Sequence, residues 1–94
     1  MVSIVQTKKK CFICGLGSTL ELHHVFFGTA NRKKSEEDGC KIWLCHYHHT
    51  GSKNSVHFNI KTDRELKRQV EEVWLKHYNK TVEDFIKRYG RNYL

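Results

Sequence analysis

The 94-residue sequence has no proline, one methionine, and no apolar run near the roughly 20 residues that a membrane span requires. With no proline, no repeat and no low-complexity stretch, nothing marks an internal linker, and the length suits a single domain. The opening Met1 to Lys10 lacks the apolar core of a secretory signal, so a cytoplasmic address and no membrane partner are expected. Acidic residues are scarce: 10 Asp and Glu stand against 17 Lys and Arg, a balance of +7 with His neutral. That excess favours a polyanionic partner, with nucleic acid first. It sits in the first third of the chain, as the triplets Lys8-Lys9-Lys10 and Arg32-Lys33-Lys34.

Apolar content is also limited, at 38% hydrophobic against 29% charged residues. A small core can form, but the burial available to so short a chain is marginal, and such domains commonly recruit a metal or disulfides. Four Cys and seven His are the available recruits. In a reducing compartment thiolate metal sites persist where disulfides do not.

The coarse pattern mixes strands and helices, an α+β class. Thr19 to Phe26, with Leu20 and Leu22 alternating against Glu21, reads as a strand that Gly28 stops. Gly28 to Gly39 is polar and Gly-bracketed, the signature of a long surface loop. Lys41 to Leu44 reads as the returning strand, and Cys45 to Thr50 as a short helix before Gly51. Thr62 to Tyr78 carries a capping box, Thr62 with Glu65, and an apolar stripe of Leu66, Val70, Val73, Trp74 and Tyr78. Thr81 with Asp84 caps a second helix, whose stripe of Val82, Phe85, Ile86 and Tyr89 ends at Gly90. Residues 1–10 read as a frayed basic arm.

Cys11-x-x-Cys14 and Cys45-x-x-His48 are two chelating pairs separated by a strand and a loop, the arrangement in which two knuckles close on one tetrahedral zinc. Gly15 supplies the positive φ that such a knuckle needs. A competing set replaces His48 with Cys40, giving four thiolates. Either way a surplus of imidazoles remains: His23, His24, His49 and His57. Adjacent helical side chains diverge by about 100°, so His48 can face a structural zinc while His49 faces a second site.

Cys-x-x-Cys, then His23-His24 ending a strand, then Cys45-x-x-His48-His49 starting a helix resembles the HNH endonucleases of the ββα-metal, or His-Me finger, class. His23-His24-Val25-Phe26, Ala30-Asn31-Arg32-Lys33, Ser35-Glu36, Val56-His57-Phe58-Asn59 and the ending Gly90-Arg91-Asn92-Tyr93-Leu94 look like the small HNH-type nucleases of phages and prophages. The resemblance spans residues 11–94. It implies a zinc-stapled ββα-metal domain in residues 11–60, with two short antiparallel strands and a short helix, followed by supporting helices in 62–90. It also implies that His23 and His49 bind a catalytic divalent metal, joined by His57, that His24 is the general base, and that Asn31 braces the loop between the strands. A phage- or prophage-encoded protein in a bacterial host follows from the same likeness, with phage or recombination proteins as further partners.

The chemistry implied is metal-dependent hydrolysis of DNA, duplex or branched. An imidazole with the ordinary pKa of about 6.5 is largely neutral above pH 7 and can take a proton from water. The cofactors expected are one structural Zn²⁺ and one catalytic ion among Mg²⁺, Mn²⁺, Ni²⁺, Co²⁺ and Zn²⁺; an imidazole-rich site disfavours Mg²⁺. Arg32, Lys33 and Lys34, or Lys8, Lys9 and Lys10, would grip backbone phosphates. Two other readings stand beside this one: a catalytically inactive zinc-stabilised nucleic-acid-binding module, and a structural protein retaining a nuclease fold.

Overall fold

The computed structural model describes residues 3–94; Met1 and Val2, the start of the expected basic arm, lie outside the described residues. Strand β1 (Leu20–His24) pairs antiparallel with β2 (Lys41–Cys45), Leu20 opposite Cys45 and His24 opposite Lys41. Between them runs helix α1 (Thr29–Asp38), and after them come α2 (His46–His49), α3 (Ile60–Tyr78) and α4 (Val82–Tyr89). The α+β class with two antiparallel strands therefore holds, and the Cα radius of gyration, 12.7 Å, is close to the roughly 12 Å of a single folded unit this long. None of the described helices is long and apolar enough to cross a membrane.

Two strands cannot stand alone in water, so the sheet must be covered. Ile42 and Leu44 from β2 join Val25, Phe26, Leu66, Val70, Trp74, Phe85 and Tyr89 in one buried cluster. Phe26 is the hinge of this packing, with ring centroids 5.0 Å from Phe85 and 4.7 Å from Tyr89. Both expected C-terminal helices form, though their stripes narrow: Val73 is only partly buried and Tyr78 and Ile86 are exposed. The Thr81–Asp84 capping box is present. The Thr62–Glu65 box is not; α3 begins two residues earlier, capped by Asn59, whose side-chain oxygen accepts from the N–H groups of Lys61 and Thr62. Glu65 pairs with Arg68 instead.

The largest correction concerns Gly28 to Gly39, expected as a loop and found as α1. Its sequence has no apolar stripe, and only Ser35 within it is buried. Polar tethers replace apolar packing. Ser35 Oγ donates to Phe26 O at 2.6 Å and accepts from Phe26 N–H at 3.1 Å. Asp38 Oδ2 accepts from Trp74 Nε1 at 2.9 Å and from the Tyr89 hydroxyl at 2.7 Å. Asn31 Nδ2 donates to Tyr89 O at 3.0 Å, so this residue braces the connection between the strands against the end of α4.

The N-terminal arm is also better anchored than expected. Ile4 N–H donates to Gly39 O, Ser3 Oγ donates to Lys41 O, and Gln6 Oε1 accepts from Trp43 N–H, so residues 3–6 lie along the outer edge of β2. The strand edge they cover would otherwise present unpaired backbone groups.

Candidate metal centres

Cys11 and Cys14 arrive on the turn before β1, and Cys45 and His48 on the junction of β2 with α2. Their donor atoms lie within 4.8 Å of one another and could hold a metal ion. The Cys14 and Cys45 sulfurs are 3.8 Å apart, Cys11 Sγ is 3.8 Å from His48 Nδ1, and Cys45 Sγ is 3.3 Å from the same nitrogen. No disulfide joins them. Gly15 has φ +80°, as the knuckle reading requires, and its N–H donates to Cys11 O. Burial works against ionisation of Cys11, but backbone N–H groups of Cys45, Cys14 and Ile13 outweigh it and hold the thiol down to about 6. Burial pushes the Cys45 thiol up, reinforced by the sulfurs of Cys11 and Cys14. One thiolate in the cluster thus discourages the next until a cation compensates both.

Cys40 does not join this set. It is buried under α4, with its sulfur 3.8 Å from the Tyr89 hydroxyl oxygen, and burial first of all pushes its thiol up to about 12. The structure brings His48, and not Cys40, to the three other cysteines.

A second cluster joins His23, His49 and His57, again with donor atoms within 4.8 Å. His23 sits on β1 and is buried, and its Nε2 has no hydrogen-bond partner. Burial, then the neighbouring His49 and His57, push this imidazole down to about 3, so it is neutral and keeps the form in which imidazole binds metals. His49 Nδ1 donates to Glu21 Oε1 at 2.7 Å, which leaves the His49 lone pair on Nε2. That Nε2 lies 3.2 Å from His57 Nε2. Glu21 and His23 share one face of β1, two residues apart, which is why both reach α2.

His57 reaches this cluster although it lies eight positions after His49. Gly51 N–H donates to His46 O at 2.7 Å, and a Cβ on Gly51 would meet that carbonyl at 2.9 Å, so only glycine allows so close a reversal. The chain then comes back alongside the end of α2, with Val56 N–H donating to His48 O and His57 N–H to His49 O.

His24 faces the other side of β1 from His23, yet both line one groove of about 310 Å³ that wraps the strand's end, together with Leu22, Phe27, Arg32, His49 and His57. Three larger grooves, about 470 Å³ beside Leu66, about 540 Å³ beside Trp74 and about 400 Å³ beside Gly39, share none of these residues. His24 Nε2 donates to Glu36 Oε1 at 3.1 Å. Of the expected phosphate-gripping triplet, only Arg32 lines the groove. Lys33 is exposed on α1, and Lys34 Nζ donates to Arg88 O at 2.6 Å. Lys8, Lys9 and Lys10 are exposed on the arm, with Lys9 Nζ 4.7 Å above the Trp43 ring. The sequence gives Glu21 and Glu36 no histidine partner, since one is the polar alternate of a strand and the other opens an acidic run; only the fold places them against imidazoles.

The groove therefore combines a neutral, buried imidazole, two facing imidazole nitrogens, a carboxylate-bonded fourth histidine and one arginine, and no family model, curated protein or solved structure matches the chain that builds it.

Proposed function

We propose that this protein is a metal-dependent endonuclease of the HNH type, hydrolysing phosphodiester bonds in DNA, with a structural zinc separate from the catalytic ion. The observation that carries the reading is the convergence of His23, His49 and His57 beside His24 in one groove, apart from the Cys11, Cys14, Cys45 and His48 cluster. For the first cluster zinc suits the donor set: a tetrahedron with Zn–S bonds of about 2.3 Å has edges of about 3.8 Å, close to the sulfur spacing found here. For the second, three imidazoles suit Mn²⁺, Co²⁺, Ni²⁺ or Zn²⁺ better than Mg²⁺, which prefers oxygen ligands.

His23, His49 and His57 would hold a divalent ion, which would supply Lewis-acid stabilisation of the charge that develops in phosphodiester cleavage. His24 accepts a proton from water on the nitrogen opposite its Glu36 bond. The hydroxide so formed attacks phosphorus, the P–O3′ bond breaks, and the departing O3′ takes a proton from solvent water, so the products carry 5′-phosphate and 3′-hydroxyl ends. Arg32 binds a neighbouring phosphate without reading sequence. The net charge of +7 favours the same polyanionic substrate.

Plasmid nicking by purified protein across Mg²⁺, Mn²⁺, Ni²⁺, Co²⁺ and Zn²⁺ tests the proposal. The parent should nick with at least one ion, and His24→Ala should be slower by on the order of 10² to 10⁴, the worth of a general base, with its structural metal and melting temperature retained. A parent inert with every ion overturns the enzyme reading. Equal nicking by His24→Ala keeps the enzyme and removes His24 as its base.

A further inference from the structure

Lys41 is an anomaly in β2. It is 3% exposed, a lysine placed in a strand otherwise built of apolar residues. Its ammonium pairs with Glu36 Oε2 and with no other carboxylate among the described residues. The other oxygen of the same carboxylate, Oε1, accepts from His24 Nε2. Because His24 and Lys41 are direct cross-strand neighbours, they present to the same side of the sheet. The Ser35 hydroxyl, bonded to both backbone groups of Phe26, sets the end of α1 so that the next residue, Glu36, meets both.

We infer that Glu36, clamped by the buried Lys41, is a positioning residue that holds His24 in a single tautomer and orientation, with Nε2 protonated and Nδ1 free to take a proton. The inference deepens the endonuclease reading and rests on it for the consequence in rate, though not for the tautomer. A carboxylate can only accept, so the nitrogen facing Glu36 must carry the proton. His24 Nδ1 has no hydrogen-bond partner among the described residues, and His24 lines the groove. Glu36 is itself about half exposed, at 54% of its side chain, and an unrestrained glutamate there would sample many rotamers. The Lys41 ammonium removes that freedom, because a buried cation with one partner keeps that partner.

A purely structural account would have Glu36 serve only to neutralise Lys41, and a double variant separates the two. Glu36→Gln with Lys41→Met removes both charges together, so no buried ion is stranded, while Gln can donate or accept and no longer dictates the His24 tautomer. On ¹⁵N-labelled protein, long-range imidazole ¹H–¹⁵N spectra report which His24 nitrogen bears the proton. The parent should show Nε2–H alone. The double variant should melt near the parent and keep its structural metal, but show mixed His24 tautomers and a kcat at least about 10-fold lower with KM little changed, part of the 10² to 10⁴ that a base is worth. Glu36→Asp, which keeps the charge for Lys41 but shortens the reach to His24, should give the same spectral change and covers the case in which the double variant does not fold. A parental tautomer in these variants overturns the inference, as does a parental kcat beside mixed tautomers. A parent that never nicks would sink the endonuclease reading alone, since the spectra still decide what Glu36 does.

Discussion

His49 and His57 face each other through their Nε2 atoms at 3.2 Å, over a backbone bond from His57 N–H to His49 O. With Nδ1 donating to Glu21, a neutral His49 carries its lone pair on Nε2, where a proton on His57 or a shared cation can meet it. The buried His23 Nε2 has no partner beside them. A cation satisfies all three nitrogens at once, whereas a proton satisfies two.

Metal titration of protein already loaded at its cysteines should therefore reveal a second site. His57→Ala and His49→Ala should each weaken it strongly. Glu21→Ala should weaken it by about 10- to 100-fold, because the carboxylate sets the ring orientation and tautomer of His49. Calorimetry with Mn²⁺ or Co²⁺ reads the affinity, and a parent that binds no second ion would leave the three imidazoles as a hydrogen-bonded packing cluster.

Cys11→Ser should release the structural metal and lower the melting temperature sharply, since in a chain of 94 residues metal binding and folding are one equilibrium. Cys40→Ser should keep the metal, because Cys40 Sγ lies under the Tyr89 hydroxyl and away from the cluster. Metal content by mass spectrometry beside thermal melts distinguishes them. Metal loss in the Cys40 variant alone would reverse the ligand assignment.

The basic triplet on α1 should divide in its response to salt. Arg32→Ala should flatten the slope of log K against log salt for duplex DNA by about 0.9, the value of one phosphate contact. Lys34→Ala should change it less, because the Lys34 ammonium is held by Arg88 O. Fluorescence anisotropy between low and moderate salt measures both slopes. Equal effects would place the binding face elsewhere, with Lys8, Lys9 and Lys10 next to be tested.

Glu71 supplies a pH test of stability. It is fully buried; Oε1 accepts from Tyr93 N–H at 2.8 Å and Oε2 has no partner. Burial raises its pKa, against the smaller opposing pull of the Tyr93 N–H. A carboxyl raised in the folded state contributes stability below the ordinary carboxylate range and loses it as pH climbs through the raised value. Glu71→Gln keeps an acceptor for Tyr93 and removes the buried charge, so it should raise the melting temperature at pH 8 relative to parent and change it little at pH 4. An equal shift at both pH values would locate the effect in packing.

The sequence by itself determined what depends on neighbours a few residues apart. Cys11-x-x-Cys14 and Cys45-x-x-His48 are chelating spacings whatever surrounds them, and the stripe through Leu66, Val70 and Trp74 declares a helix because its period is local. His48 and His49 diverge for the same local reason. Tertiary structure alone decided the rest. Helix α1 has no apolar face and is held by side-chain bonds to Phe26, Trp74 and Tyr89, partners that lie elsewhere in the chain and leave no periodicity behind. His57 joins His49 only because the reversal at Gly51 folds the chain back on α2, and Glu21 and Glu36 gain their histidines only through strand register and helix placement. Cys40 competes with His48 as the fourth ligand on paper, although ligand spacing favours His48. Position in the fold separates them, because Cys40 is seated against Tyr89 while the start of α2 brings His48 to Cys11, Cys14 and Cys45.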